Sequence, residues 1–368
     1  FLDFSTDTAD SEAGMRSGRA RGLAGRAQAA GSFAEPELME IGFDTLKGWM
    51  EQTEALAEYR HYFDTLAKNA PHVRSAEVEE LLSDLMDPFA TATATHGILV
   101  NADMKIKKAK DGAGNKHDLG HANVTKLMAS RDRTLRKNAW ENYADAHLKF
   151  KNTQANVISA GVKQNVFMAK ARKYKDSLDA ALTSTHIPRE VYDSLIDTFK
   201  ANLPTWHKYW AVRKKALGLD EFHIYDSRAA LTDNMPVLSF DTCFDWIYEG
   251  LKPLGEDYVD VMKRGVLEQR WVDRYPNKGK RFGAFSWGFR GTHPYIMINH
   301  NDDIFGLSTL AHELGHSMHS YYTRKHQPPA YHGYGLFAAE VASNFNQAMV
   351  RDYLLKTQTD RDLQIAII

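Results

Sequence analysis

Two histidines four residues apart, His312 and His316, stand in "TLAHELGHSMHSYY" at residues 309–322, with Glu313 directly after the first. On an α-helix, positions i and i+4 share one face about a turn apart, so both imidazoles can reach a single metal ion. Zinc takes ring nitrogens at about 2.0–2.1 Å. Glu313 lies one position further round the helix. It cannot naturally complete the same ligand set, but it can hold a metal-activated water and take its proton. The H-E-x-x-H pattern thus points to metal-assisted hydrolysis. The competing reading is an amphipathic helix whose histidines hydrogen-bond locally.

A catalytic zinc needs three protein ligands and an open position. After the histidine segment the chain is broken by Pro328-Pro329 and by Gly333 and Gly335. "LFAAEVASNFNQAMVRDYLL" then reads as a second helix, with Glu340 in its first turns. The surrounding "FAAEVAS" is small and apolar, a setting in which a lone carboxylate is costly unless paired or metal-bound. Glu340 is the expected third ligand, giving one Zn²⁺ per chain on His312, His316 and Glu340. Ser343, one turn on, either hydrogen-bonds a ligand or packs between helices. His319 follows His316 on a similar face, and His293, His300, His326 and His332 lie on neighbouring loops or turns. None of these five carries an assigned role.

Upstream, "GKRFGAFSWGFRGTHPYIMINH" reads as a β-hairpin with strands 282–289 and 295–298 and Gly291 in the turn. The small residues Gly283, Ala284 and Ser286, with Phe285 among them, would let another backbone approach closely. An extended peptide could add there as an antiparallel strand. A hairpin that is merely buried explains the same residues.

The elements that must position this chemistry are mostly helical. Val78, Leu81, Leu82 and Leu85 mark one face of a helix, and Leu135, Ala139, Tyr143 and Ala146 another, with Ser130 as its expected N-cap. Pro188 opens a helix whose Val191, Leu195 and Phe199 should point inward. The histidine helix should be capped by Asp303 and carry an apolar stripe of Ile304, Leu307, Leu310, Ala311 and Leu314. "DMKIKKAKDGAGNKHDLG" breaks the helical rhythm with a short hairpin around Asp111-Gly112, placing a boundary near residue 115. The expected organisation is a helical lobe over residues 1–115 and a catalytic domain over 116–368. The fold class is mostly α with one small sheet beside the active-site helix.

Composition narrows the function classes. The chain has 368 residues, 43% hydrophobic and 25% charged, with a net charge of −1, so no global field favours nucleic acid or an anionic membrane. No apolar run reaches the roughly 18–20 residues of a membrane helix, and the first residues contain no compact apolar core of a signal peptide. The single cysteine, Cys243, excludes an intramolecular disulfide. The expected location is the cytoplasm. The terminal "DRDLQIAII" would leave Leu363, Ile365, Ile367 and Ile368 uncovered, so a fragment is expected.

The chain resembles the oligoendopeptidase F family, relatives of thimet oligopeptidase. The likeness rests on "WVDRYPNKGKRFGAFSWG", "PYIMIN", "TLAHELGHSMHS", "QPPAY" and "FAAEVASNFNQ", in that order, and spreads over roughly residues 40–368. It implies a multi-helix zincin-type metallopeptidase with a deep substrate channel that cleaves short peptides at internal bonds. It also implies His312, His316 and Glu340 as zinc ligands, Glu313 as general base, and Gly283–Ser286 as the substrate-pairing strand. Two departures stand out. Gln347 occupies a position where the family often has an acid. The family's transition-state tyrosines and histidine lie in a C-terminal region with no counterpart here, so the chain by itself is expected to hold metal and base but not every oxyanion donor. Two rival readings remain: a zinc carboxypeptidase on a related helical scaffold, and a zinc- or peptide-binding module without turnover.

Overall fold

The computed structural model describes residues 2–31, 33–121, 123–232, 236–277, 279–281 and 283–368. Helices dominate, and the strands are short. β1 (Ala109–Lys110) and β2 (Lys116–His117) form the expected hairpin. Its turn is tied by Asp111, whose Oδ1 accepts from the Asn115 and Ala113 amides. Hydrogen bonds from His117 and Asn115 hold the Asp111 carboxyl down at about 2. β3 (Val272–Asp273), β4 (Phe285–Trp287) and β5 (Tyr295–Met297) form a second sheet in the order β3-β5-β4. β3 runs parallel to β5, and β4 antiparallel to it.

The chain divides into two units, one built from Phe1–Asp64 and Thr232–Ile368, the other from Thr65–Leu231. The boundary expected near residue 115 falls inside the second unit. In that unit the helix Arg133–Leu148 is capped by Asp132, not by Ser130. The Asp132 carboxylate accepts from the Thr134 and Leu135 amides, while the Ser130 hydroxyl is used one step earlier, by the Asp132 amide. The buried Asp226 carboxylate pairs with Arg136 at 2.8 Å and Arg133 at 3.0 Å. Val191, Leu195 and Phe199 of the helix Arg189–Ala201 are exposed, contrary to expectation. A helical period marks an apolar face but does not say what covers it.

The first unit holds the larger core. Helix Phe240–Leu251 contributes Phe240, Cys243, Phe244, Ile247 and Leu251, a stripe at helical spacing. Burial pushes the Cys243 thiol up to about 12, which leaves it an inert packing group. The histidine helix, Ile304–His326, begins as expected at Asp303, whose Oδ1 accepts from the Gly306 amide at 2.7 Å. Its Leu307, Leu310, Ala311, Leu314 and Met318 enter the same core, together with Val350 and Leu354 of the following helix, Leu336–Thr357. At the end of the chain Asp360 caps the helix Arg361–Ile367. Leu363 is only 7% exposed and Ile367 packs against the core, so these two are covered after all; Ile368 is exposed. Among the described residues no helix is long and apolar enough to cross a membrane.

Candidate metal centre

The apolar stripe that buries the histidine helix also aims its opposite edge. With Leu310, Ala311 and Leu314 turned into the core, His312 and His316 emerge together at the core's margin. The next helix runs antiparallel beside them: Gln347 meets Ser308 and His312 at one end of the contact, and Glu340 meets His316 nearer the other. Gly315 permits that approach. A Cβ built there would lie 2.7 Å from Ser343 Cα and 2.8 Å from the Ala342 carbonyl oxygen.

The result is a tight triangle of donors. His316 Nε2 lies 3.1 Å from His312 Nε2, and Glu340 Oε2 lies 3.3 Å from His312 Nε2 and 3.7 Å from His316 Nε2. Tetrahedral zinc with bonds of about 2.0–2.1 Å places its ligands about 3.3 Å apart, so the donor set fits that ion. Among the described residues these three form the one group of three or more histidine, cysteine or acidic side chains close enough to share a metal. Ser343 Oγ donates to Glu340 Oε2 at 2.8 Å, so of its two expected roles the hydrogen bond to the carboxylate is seen. Burial first, and then the neighbouring His312, keep the His316 imidazole below its ordinary value, which Glu340 and a hydrogen bond at the Ala339 backbone only partly offset. A ring kept neutral is the form that binds metal.

Glu313 stands apart from the triangle. It is 6% exposed, and its Oε2 is buried without a hydrogen-bond partner. Burial, helped by the charge of Glu340, raises its carboxyl to about 7. A buried carboxyl with a partnerless oxygen is an expensive arrangement, of the kind that functional sites retain.

The hairpin is shorter than expected. β4 covers Phe285–Trp287 and β5 ends at Met297, while Phe282 lies outside the described residues. Gly291 takes the turn with φ near 80°. Gly283 precedes the strand in the left-handed region, and its carbonyl accepts from Asn299. Ala284 packs against the core. Within the described sheet β4 pairs only with β5, so its outer edge has no strand beside it. Two contacts fasten β4 and the residue after it to the histidine helix: Ser286 Oγ lies 2.8 Å from Ser317 Oγ, and Arg324 Nη2 donates to the Gly288 carbonyl at 2.8 Å.

The remaining histidines have structural surroundings. His300 is buried near Phe240 with Nε2 at 3.1 Å from the Leu238 carbonyl. His319 stacks on Tyr334, His326 on Tyr322, and His332 Nε2 lies 3.0 Å from the Gln327 carbonyl. His293 lies near the Trp271 ring. Reading by motif missed the contributions of Ser308 and Gly315 and left Gln347 without a partner. Helical spacing carried part of the signal, since Ser308 lies a turn before His312 and Gln347 two turns after Glu340.

The model of Peptidase family M3 matches residues 126–367, and that of Oligopeptidase F matches residues 37–106, on either side of the hairpin at residue 115. Oligopeptidase PepF of Bacillus subtilis is 41% identical over 351 residues, covering 95% of this chain and 52% of the relative. Group B oligopeptidase PepB of Streptococcus agalactiae is 37% identical, over 92% of this chain and 56% of its own length. The chain thus spans about half the length of the curated relatives it matches. Among solved structures, oligoendopeptidase-F from Enterococcus faecium superposes with a TM-score of 0.68 at 28% identity, covering 100% of this chain and 59% of that one.

Proposed function

Since the chain belongs to peptidase family M3, we propose that it carries the zinc centre and general base of a metalloendopeptidase acting on short oligopeptides. The observation that carries this reading is the triangle of His312, His316 and Glu340 with the buried, partnerless Glu313 oxygen beside it. Bound to that triangle, zinc supplies Lewis acidity toward a carbonyl oxygen and toward water.

The chain's own residues supply the base, the support of a ligand and the strand edge. Glu313, poised near 7 by burial, removes the proton from the attacking water and returns it to the departing amine. Ser343 holds the Glu340 carboxylate in place. The outer edge of β4, with Gly283–Ser286 at its head, takes the substrate backbone as an added antiparallel strand. That mode gives main-chain affinity with little sequence demand. It also requires an extended segment free to pair, so short peptides are the substrates and folded proteins resist. The single, buried, inert cysteine agrees with a cytoplasmic site of action.

The test is to measure zinc content together with cleavage of an internally quenched peptide blocked at both ends. One zinc per chain and cleavage at an internal bond are expected. Zinc without cleavage of the blocked peptide, but with trimming of its unblocked form, would transfer the reading to a carboxypeptidase. Zinc with no cleavage of either would leave a binding module.

A further inference from the structure

We infer that Gln347 is a positioning residue of the metal centre, one that sets the proton and the aim of His312 by accepting from its outer ring nitrogen through a neutral amide. The inference rests on the zinc reading above and adds a residue to it. His312 Nδ1 lies 2.9 Å from Gln347 Oε1, and Gln347 Nε2 donates to Ser308 Oγ at 2.7 Å. Ser308 sits on the histidine helix, one turn before His312. The amide therefore spans from the second helix to two successive turns of the first.

The direction of the amide follows from the triangle. With Oε1 toward the ring, Nδ1 must carry the proton, and the Nε2 lone pair faces His316 and Glu340. Turned over, the amide would donate to Nδ1, force the proton onto Nε2, and remove that nitrogen as a ligand. Ser308 holds the far end of the amide, its hydroxyl oxygen receiving the amide N–H in the productive orientation. An outer hydrogen bond of this kind orients a ligating imidazole and raises its basicity, and its loss commonly costs 10–100-fold in metal affinity. A carboxylate at this position would accept more strongly than an amide. The amide leaves the histidine less electron-rich, and so leaves more Lewis acidity for the metal's open position.

The experiment is a zinc competition titration against a chromophoric chelator, on wild type, Gln347→Met and Gln347→Glu. Methionine keeps length and volume but offers only a weak thioether acceptor, whereas glutamate restores and strengthens the acceptor. Melting of the metal-free proteins separates damage to the fold from damage to the site, and Gln347→Ala serves if the methionine variant does not fold. The visible absorption of the cobalt(II)-loaded proteins reports ligand geometry without turnover. Zinc affinity should fall about 10–100-fold in Q347M and return to wild-type strength or better in Q347E, and the cobalt spectrum should change only in Q347M. Equal zinc affinity in Q347M and wild type, or a Q347E variant as weak as Q347M, would overturn the positioning role alone. A wild-type protein that binds no zinc would overturn the zinc reading and this inference together.

Discussion

Replacing Gly315 by alanine adds a single methyl group where the helix of His312 and His316 touches the helix of Glu340. In the structure that carbon would sit 2.7 Å from Ser343 Cα, 2.8 Å from the Ala342 oxygen and 3.1 Å from the Ser343 nitrogen. Carbon atoms rest at about 3.5–4.0 Å, so the helices must part by roughly 1 Å to admit it. All three obstructing atoms belong to main chain, which cannot swing aside as a side chain would. The separation acts directly on the metal triangle, because His312 and His316 lie on one helix and Glu340 on the other. Metal–ligand distances tolerate about ±0.2 Å, so a shift of this size takes Glu340 out of bonding range. Overpacking costs about 1–3 kcal/mol, and alanine's better helix propensity returns up to about 1 kcal/mol. The net loss of apo stability is therefore about 0–3 kcal/mol on those two ranges, while zinc affinity falls at least about tenfold, as for other disturbances around a ligand set. Chelator competition measures the second, and thermal melting of the metal-free protein the first. Gly48→Ala is the control: Gly48 also lies in a helix, and nothing stands within 4 Å of its built Cβ. Wild-type zinc affinity in G315A would show that helix separation does not set the ligand triangle.

Three further outcomes are expected. Glu340→Ala should lose stoichiometric zinc while keeping its fold, as read by metal analysis after gel filtration; full zinc retention would remove Glu340 from the ligand set. Glu313→Gln should keep zinc and peptide affinity but lose about 10²–10⁴-fold in turnover, the usual yield of general acid–base catalysis, with an unchanged rate counting against its role as base. The last concerns Asp226. Burial works to raise its carboxyl, but the hydrogen bonds from Arg133 and Arg136, with the His223 amide, outweigh it and hold the group below its ordinary value. A lowered folded-state value means stability that is present above the unfolded carboxylate's pKa and lost as pH falls through the folded one. Urea unfolding should show this contribution complete at neutral pH and fading below about pH 4. Asp226→Asn should remove that acid limb and cost about 3–5 kcal/mol at neutral pH by taking the charged partner from the buried Arg136.

Much of the site was written in residue type and spacing. His312 and His316 had to share a helix face because the helical repeat puts i and i+4 there, and the flanking leucines fixed which face was buried. Asp303 as cap and Gly291 in the hairpin turn were equally local, each answering a backbone demand that few residues meet. What depended on a partner was less legible. Ser130 looked like a cap until the helix was seen to start one residue past Asp132, whose carboxylate reaches both early amides. Leu363 and Val191 occupy similar apolar positions on helices, yet one is buried and the other exposed, because burial depends on what packs opposite. The ångström-level arrangement belongs to the tertiary structure alone. Motif and resemblance made Glu340 the expected third ligand, but only the antiparallel docking of two helices over Gly315 brings it to 3.3 Å from His312. Only that same docking gives the His312 ring a neutral amide as its outer partner. Local sequence selects an element and its face, and the distances between faces are set by the packing of residues far apart in the chain.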